Sequence, residues 1–192
     1  GFSGSASAGN GALYIANSSS YLTRGNAAGV GGFYFSMTFA ITTLSANSRG
    51  FFGLASLGGA STIPWIAAGA TDTGVDIIGL GWDAGDSEFY IYRNDNTGTA
   101  SRFGIGTATT SAFANNESFR LSVFCGADAS DMSVEIKGLN DGGFGIGLDY
   151  STDLPRPNVF LAPICAMYNN TDATAMAFDV ANVYMEQWWT NS

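Results

Sequence analysis

The sequence predicts an all-β protein, and three observations support this. Apolar and polar residues alternate strictly along "FYFSMTFAIT", residues 33–42, as in a strand with one buried face. Glycine makes up 26 of 192 residues, charged residues only 12%, and aromatic residues 14%. No stretch keeps a helical apolar period over three turns. These patterns predict two antiparallel sheets packed face to face, as a β-sandwich or jelly roll.

The remaining strands follow from the same alternation and from the turn residues between them. "SFRLSVFC" and "MSVEIK" are joined by "GADASD", which predicts an antiparallel hairpin. The other predicted strands are 12–16, 50–56, 76–82, 88–93, 101–106, 158–168 and 175–186. The glycine-rich stretches "GNAAGVGG" and "NDGGFGIG" are predicted to be loops. Since no repeat or linker interrupts the chain, we expect one domain over 12–192 and a flexible lead-in over 1–11 from a longer chain.

Net charge excludes several classes of partner. The chain carries a formal charge of −9 with only seven Lys and Arg residues. Nucleic acid and anionic membrane surfaces both require basic patches, so neither is expected as a partner. No apolar run reaches the ~18 residues of a membrane-spanning helix, so we expect no membrane insertion.

The absence of histidine limits the chemistry. It excludes Ser-His-Asp and Cys-His catalysis and histidine-ligated zinc. No cofactor is expected, and any metal would be a hard ion such as Ca²⁺ held by oxygen atoms. Cys125 and Cys165 lie in apolar strand-like runs; free buried thiols are expected, and a bridge between strands stays open.

The stretch "GLGWDAGDSEFYIYRNDNTGT", residues 79–99, concentrates polar and aromatic side chains. Asp, Asn and Gly are the residues that strand reversals require, so "DAGDS" and "NDNTG" are explained as turns without a ligand. The same residue types bind sugars, since aromatic faces stack on C–H surfaces and polar groups bond to hydroxyls. The candidate glycan-binding residues are Trp65, Trp82, Tyr90, Tyr92, Arg93, Asn94 and Asp95.

Turn formation and sugar binding are expected to involve different residues of this stretch. Tyr90 and Tyr92 alternate with Phe89 and Ile91 and should face outward if those two are core. The aspartates are expected chiefly to hold the turns. Asp83 and Asp86, or alternatively Asn94 to Asn96, are also candidates for a Ca²⁺ site, although their spacing is not that of an EF-hand loop.

A family resemblance rests on "GFFGLAS", "DIIGLGWDAGDSEFYIYRNDNTGTASRFGIG", "SFRLSVFC" and "LAPICAMYNNTDATAMAFDVANVYMEQ". Together these segments resemble a C-terminal receptor-binding domain of tail-fibre and adhesin proteins of tailed bacteriophages. The shared core is Ile78 to Thr99, and the likeness runs loosely from residue 21 to the end. It implies a concanavalin A-like sandwich at the tip of a homotrimeric fibre in the virion. The implied partner is a host cell-surface polysaccharide or lipopolysaccharide.

Two other functions stay open. A glycan-degrading enzyme of the tailspike type needs two carboxyl groups about 5–9 Å apart across the scissile bond. The four glutamates, Glu88, Glu117, Glu135 and Glu186, each stand alone in the sequence, so catalysis is not expected. A structural virion protein, such as a decoration or fibre segment that binds no receptor, is not distinguished from an adhesin by these residues.

Overall fold

A computed structural model of the chain describes residues 2–3, 11–15, 22–25, 31–45, 47–56, 75–105, 116–126, 130–140, 145–169 and 173–188. Within these ranges the chain forms strands and turns and no helix, which confirms the all-β prediction. In the same ranges, no helix of the length and apolarity needed to cross a membrane is found.

Twelve strands are formed by the described residues. In chain order they are β1 (Phe2–Ser3), β2 (Gly11–Ile15), β3 (Phe33–Thr43), β4 (Arg49–Ala55), β5 (Asp76–Trp82), β6 (Tyr90–Asp95), β7 (Ser101–Gly104), β8 (Glu117–Cys125), β9 (Met132–Gly138), β10 (Gly145–Tyr150), β11 (Ala162–Tyr168) and β12 (Ala177–Gln187).

The strands make two antiparallel sheets of six strands each. The front sheet has the order β1-β12-β3-β8-β9-β10, and the back sheet the order β2-β11-β4-β5-β6-β7. The predicted hairpin is present, since β8 pairs with β9 from Phe119 opposite Gly138 to Cys125 opposite Met132.

The inner faces of the two sheets share one apolar core. Phe39 of β3 stacks on Phe52 of β4 with ring centroids 4.2 Å apart, and Phe178 of β12 meets Phe52 edge-on at 5.2 Å. Each of these rings is nearly or fully buried. A fully buried Phe contributes about 1.5–3 kcal/mol through the hydrophobic effect, so this layer holds the sheets together.

The outer faces of the two sheets differ. In the front sheet, β3 and β9 alternate between buried and half-buried residues, as the sequence predicts. In the back sheet, all seven residues of β5 and six of the seven in β4 and in β11 are buried. A second apolar cluster, which includes Phe51, Tyr92 and Ile164, lies on that outer face. These three strands of the back sheet are therefore buried on both faces.

Two glycines allow a close approach within the back sheet. Gly53 of β4 pairs with Gly79 of β5, and the Phe51 ring lies over both. A Cβ on Gly53 would lie 2.4 Å from the Ile78 carbonyl oxygen and 2.7 Å from the Gly79 Cα. Only glycine fits there without displacing backbone.

Two of the predictions were wrong, and the expected lead-in contains a short strand. "NDGGFGIG" was expected to be a loop, but its last three residues begin β10, whose alternate side chains Ile146, Leu148 and Tyr150 pack on the core. Glycine has low strand propensity, and pairing with β9 supplies the order that local sequence does not. The strand predicted at 158–168 begins only at Ala162. In the predicted lead-in, Phe2 and Ser3 pair with β12.

Both cysteines are buried, and neither forms a disulfide bond. Cys165 lies in the core with its Sγ 3.2 Å from the Met37 Sδ, and burial raises the pKa of its thiol. Both cysteines therefore act as small apolar residues, as expected.

Candidate functional site

The polar residues of the stretch 79–99 do not lie together on one surface. The turn between β5 and β6 and the turn between β6 and β7 lie at opposite ends of β6, since Gly81 pairs with Tyr90 and Asp76 with Asp95. At ~3.3 Å per residue, the six residues of β6 separate these turns by about 17 Å.

Asp83 and Asp86 hold the first turn. The Asp86 N–H donates to the Asp83 carbonyl at 3.1 Å, and Gly85 takes the positive φ of 84° that the turn requires. The Asp83 N–H donates to the Asp86 carboxylate at 2.8 Å, and Arg49 donates to the Asp83 carboxylate at 2.6 Å. Arg102 donates to both Asp86 oxygens at 3.0 Å. The expectation that these aspartates hold the turn is confirmed.

These hydrogen bonds also bear on the calcium hypothesis. Backbone N–H groups and arginines already occupy the carboxylate oxygens that a cation would need. No group of three or more His, Cys, Asp or Glu side chains able to hold a metal occurs among the described residues. The turn therefore does not fit Ca²⁺, which takes six to eight oxygen ligands.

Tyr90 and Tyr92 lie on the outer face of the back sheet, opposite the buried Phe89 and Ile91, as expected. That face is not open, however, because Tyr92 is only 2% exposed and its hydroxyl accepts a hydrogen bond from Arg102 at 3.0 Å. The Arg102 guanidinium lies 4.1 Å from the centre of the Tyr90 ring. Tyr92 therefore faces away from the core as expected, but the neighbouring apolar cluster buries its ring.

Electrostatics in this cluster favour a neutral tyrosine and a charged arginine. Burial raises the pKa of Tyr92, because an ionised phenol would lose its hydration. For Arg102, partial burial opposes the charge, but Tyr92 and the Asp86 carboxylate outweigh it and raise the pKa of the guanidinium. The cluster therefore links the β5–β6 turn to the outer face of the back sheet.

The other predicted residues are dispersed. The Trp82 ring is in the core and its Nε1 donates to Ser48 at 3.1 Å. Asn94 is fully buried and accepts from the Thr97 N–H at 3.2 Å, while Arg93 lies 4.2 Å over the Tyr150 ring. Trp65 lies outside the described residues.

Asp95 belongs to the second turn. Its carboxylate accepts from the Thr97 N–H at 2.9 Å, and its own N–H donates to Asp153 at 3.3 Å. Asp153 also accepts from the Ser101 N–H at 2.9 Å, so it ties the 151–160 loop to the β6–β7 hairpin. Asp95 and Asp153 thus serve the hairpin.

The outer face of the front sheet, in contrast, presents a continuous polar and aromatic surface. Cross-strand partners from β12 through β3, β8 and β9 to β10 form rows about 19 Å long, at ~4.8 Å per strand. The rows are Glu186–Tyr34–Phe124–Ser133–Asp149, Tyr184–Ser36–Ser122–Glu135–Gly147 and Asn182–Thr38–Arg120–Lys137–Gly145.

A groove of about 230 Å³ runs along this face. It is lined by Tyr34, Ser122, Phe124, Ser133, Val134, Glu135, Gly147, Leu148 and Asp149. Phe124 is 47% exposed, and its ring lies 5.6 Å from that of Trp188. Tyr184 is 50% exposed and lies 6.0 Å from Tyr34. Phe124 and Tyr184 are therefore exposed at or near the groove, and each lies next to a half-buried aromatic ring.

Hydrogen bonds fix the orientation of these groups. Glu186 accepts from the Tyr184 hydroxyl at 3.1 Å and from the Trp188 Nε1 at 3.0 Å. The hydrogen bond to Glu186 and the charge of its carboxylate raise the pKa of Tyr184. The Tyr34 hydroxyl donates to Ser122 at 3.3 Å. The Tyr34, Tyr184 and Trp188 rings are held in place before any ligand arrives, which lowers the entropy cost of binding.

Gly147 leaves the far side of the groove open. A Cβ placed there has nothing within 4 Å, and its φ lies outside the left-handed region. Beside it, Asp149 accepts from the Ser133 hydroxyl, and Glu135 pairs with Lys137 at 2.8 Å. The groove therefore combines exposed ring faces with hydroxyl and carboxylate groups, which is the chemistry that binds sugars.

Sequence reasoning missed this surface. The outward positions of β3, β8 and β9 were visible as the polar halves of alternating strands. The order of the strands in the sequence does not show that β3 lies between β12 and β8 in the sheet. This arrangement brings Tyr34 beside Glu186 and Phe124. The available signal was Tyr and Phe at outward positions, where solvated strands usually carry polar residues.

Comparisons with known proteins identify the fold. No protein-family model matches the sequence, and a comparison with curated proteins gives no match. Among solved structures, the chain is similar to arcelin-5, a lectin-like defence protein from Phaseolus vulgaris, with a TM-score of 0.64 and 8% identity over 95% of this chain and 81% of that one. It is also similar to the Lotus tetragonolobus seed lectin, with a TM-score of 0.59 and 14% identity over 96% and 84% of the two chains.

A third similar structure comes from a bacteriophage. The CBM2 module of the evolved Dit protein of Lactobacillus casei BL23 phage J-1 matches with a TM-score of 0.55 and 11% identity, over 98% of this chain and 75% of that one. Identities this low show a shared fold and no more. The protein has the concanavalin A-like β-sandwich fold of the legume lectins.

Proposed function

We propose that this protein is a non-catalytic glycan-binding domain that attaches a bacteriophage tail fibre to its host through the front-sheet groove. The observation that carries the proposal is the groove itself. It places exposed aromatic rings beside hydroxyl and carboxylate groups on a sheet face that the rest of the described chain leaves open.

The fold supports this proposal without deciding it. Lectins and a phage carbohydrate-binding module share the architecture, and the segments around residues 78–99 resemble those of phage fibre tips. A host polysaccharide or lipopolysaccharide is the partner that this combination favours. Assembly as a homotrimer in the virion is part of the same proposal, and light scattering of the intact fibre tests it.

Substitution of Phe124 provides a matched test of the groove. Phe124 and Phe103 are exposed to a similar extent, 47% and 44%, but Phe103 lies on β7 of the back sheet. We expect Phe124→Ala to weaken attachment to host cells about tenfold, because a stacked ring contributes ~1 kcal/mol or more. Phe103→Ala should leave attachment unchanged. Equal effects of the two substitutions would count against the groove.

The sequence-derived candidates can be tested in the same assay. Tyr90, Arg93 and Asp95 keep part of their surface exposed, whereas Trp82, Tyr92 and Asn94 are buried. If Tyr90→Ala abolishes attachment while Phe124→Ala does not, the site is on the back sheet. If neither matters and cells are not bound at all, a structural virion role becomes the better explanation.

The enzyme alternative makes a separate prediction. Purified protein should leave host polysaccharide chain length unchanged during prolonged incubation. Shortening of the glycan that disappears in Glu135→Gln or Asp149→Asn would establish a tailspike-type enzyme, because these carboxylates line the groove.

A further inference from the structure

The charges around the groove restrict the glycan that it accepts. Among its lining residues, Glu135 and Asp149 are carboxylates and none is Lys or Arg. We infer that the groove binds an uncharged, hydroxyl-rich glycan chain and rejects sugars that carry carboxylate or phosphate groups. This inference rests on the proposed function of the same groove.

The free hydrogen-bonding capacity of the carboxylates supports this inference. Asp149 uses one carboxylate oxygen to accept from Ser133, and Glu135 uses one to pair with Lys137. Each retains a second oxygen beside the groove. A carboxylate oxygen accepts hydrogen bonds only, and sugar hydroxyls are donors that match it. A carboxylate or phosphate on the ligand would offer further acceptors and a like charge at this place.

The nearby cations do not reverse this preference. Lys137 and Arg120 both lie in the third row of the outer face, outside the groove lining. Lys137 and Glu135 pair at 2.8 Å and compensate each other, so Asp149 supplies the negative charge of the lining that no ion pair among the described residues offsets. The whole chain adds a formal charge of −9, which repels polyanions over longer distances.

The shape of the surface favours a chain over a single terminal sugar. Tyr34 and Phe124 are the second and third residues of the first row, and Asp149 is at its far end. The open position at Gly147 lies next to this row, in the second row. The aromatic rings and the hydrogen-bond acceptors of the groove are thus spread across four strands, over about 14 Å.

Affinity electrophoresis tests both the groove and its charge preference. The protein is run through gels that contain neutral polysaccharides (dextran, mannan, galactan and xylan) or anionic ones (alginate, hyaluronan and polygalacturonate). Any neutral polymer that retards the protein is then repeated in carboxymethylated form. We expect at least one neutral polymer to retard the protein, and carboxymethylation to weaken binding about tenfold, since like charges are brought together.

Variants separate the two levels of the proposal. Gly147→Trp fills the groove and should abolish retardation, whereas Phe103→Trp, at an exposed position on β7 of the back sheet, should preserve it. The double variant Glu135→Gln, Asp149→Asn should bind the carboxymethylated polymer as well as the neutral one, because it removes both carboxylates and leaves Lys137 unpaired. A thermal melt of each variant establishes that it is folded.

The outcomes are distinguishable. Retardation only by anionic polymers, abolished by Gly147→Trp, would overturn the charge preference and leave the groove as the binding site. Retardation by no polymer, or retardation unchanged in a folded Gly147→Trp protein, would overturn the proposed function and the inference with it.

Discussion

The outer faces of the two sheets differ in how far they are covered, although the inner faces of both sheets contribute to one core. On the back sheet, Phe51 and Tyr92 are 1% and 2% exposed, and their rings lie on glycines of neighbouring strands. On the front sheet, Phe124 and Tyr184 are about half exposed, and the space where Gly147 lacks a Cβ is empty to 4 Å. On the back sheet, aromatic rings pack against glycines and are buried. On the front sheet, aromatic rings are exposed and lie at an open groove.

This contrast shows that residue type alone does not identify a binding surface. Tyr90, Tyr92 and Arg102 are residue types that are common in sugar-binding sites. Here, however, the Arg102 guanidinium contacts both tyrosines and the Asp86 carboxylate. Tyr34, Phe124 and Glu135 are dispersed in sequence, yet they line one groove. Exposure, which depends on what covers a face, separates these two cases.

The largest expected difference between the faces is in the cost of removing an aromatic ring. Phe51→Ala should lower the free energy of unfolding by about 3–5 kcal/mol, because it leaves a cavity over Gly53 and Gly79. Phe124→Ala should cost less than about 1 kcal/mol, since its ring is half exposed. Denaturant unfolding measures both. Similar costs would mean that the two faces are not distinct.

A smaller contrast is expected between glycines. Gly53→Ala should destabilise the protein by about 1–3 kcal/mol, because the added Cβ meets the Ile78 carbonyl and the Gly79 Cα. Gly147→Ala should be neutral or slightly stabilising, since its Cβ is unobstructed and the unfolded chain loses entropy. Thermal melts of the two variants compare them, and a destabilised Gly147→Ala protein would contradict the open groove.

The aspartates should also separate the faces. Asp83→Ala removes the acceptor of Arg49 and should cost about 1–2 kcal/mol, because a partly buried donor loses its partner. Asp149→Ala removes only the contact with Ser133 and should change stability by less than about 0.5 kcal/mol while altering glycan binding. If Asp83→Ala instead affects binding alone, the turn belongs to the site.

The smallest effect is expected in alkaline solution. The pKa of Tyr92 is raised by burial in the folded state, whereas an unfolded tyrosine ionises near about pH 10. Above that pH the unfolded chain loses the proton first, so the stability present below about pH 10 falls as the pH rises. Melting temperatures from about pH 9 to about pH 12 should decline less steeply for Tyr92→Phe than for the wild type. Parallel curves would show that Tyr92 is not the buried group responsible.

Local sequence determined the strands and much of the core. Strict alternation placed Phe33, Phe35 and Phe39 inside, and the hairpin between β8 and β9 followed from a short turn between two alternating runs. These features depend on the period of two along a strand, which is a property of neighbouring residues. The same local chemistry explained why Asp83 and Asp86 hold a turn.

Only the tertiary structure decided which faces are open and which strands are neighbours. β12 pairs with β3, so residues more than 140 positions apart, such as Tyr34 and Glu186, become adjacent on one surface. The glycines of β10 gain their strand conformation from pairing with β9. Tyr92 is buried because an apolar cluster formed by several strands covers its ring. Pairing and burial depend on contacts between residues far apart in the chain, and alternation is the same whether a face is covered or solvated.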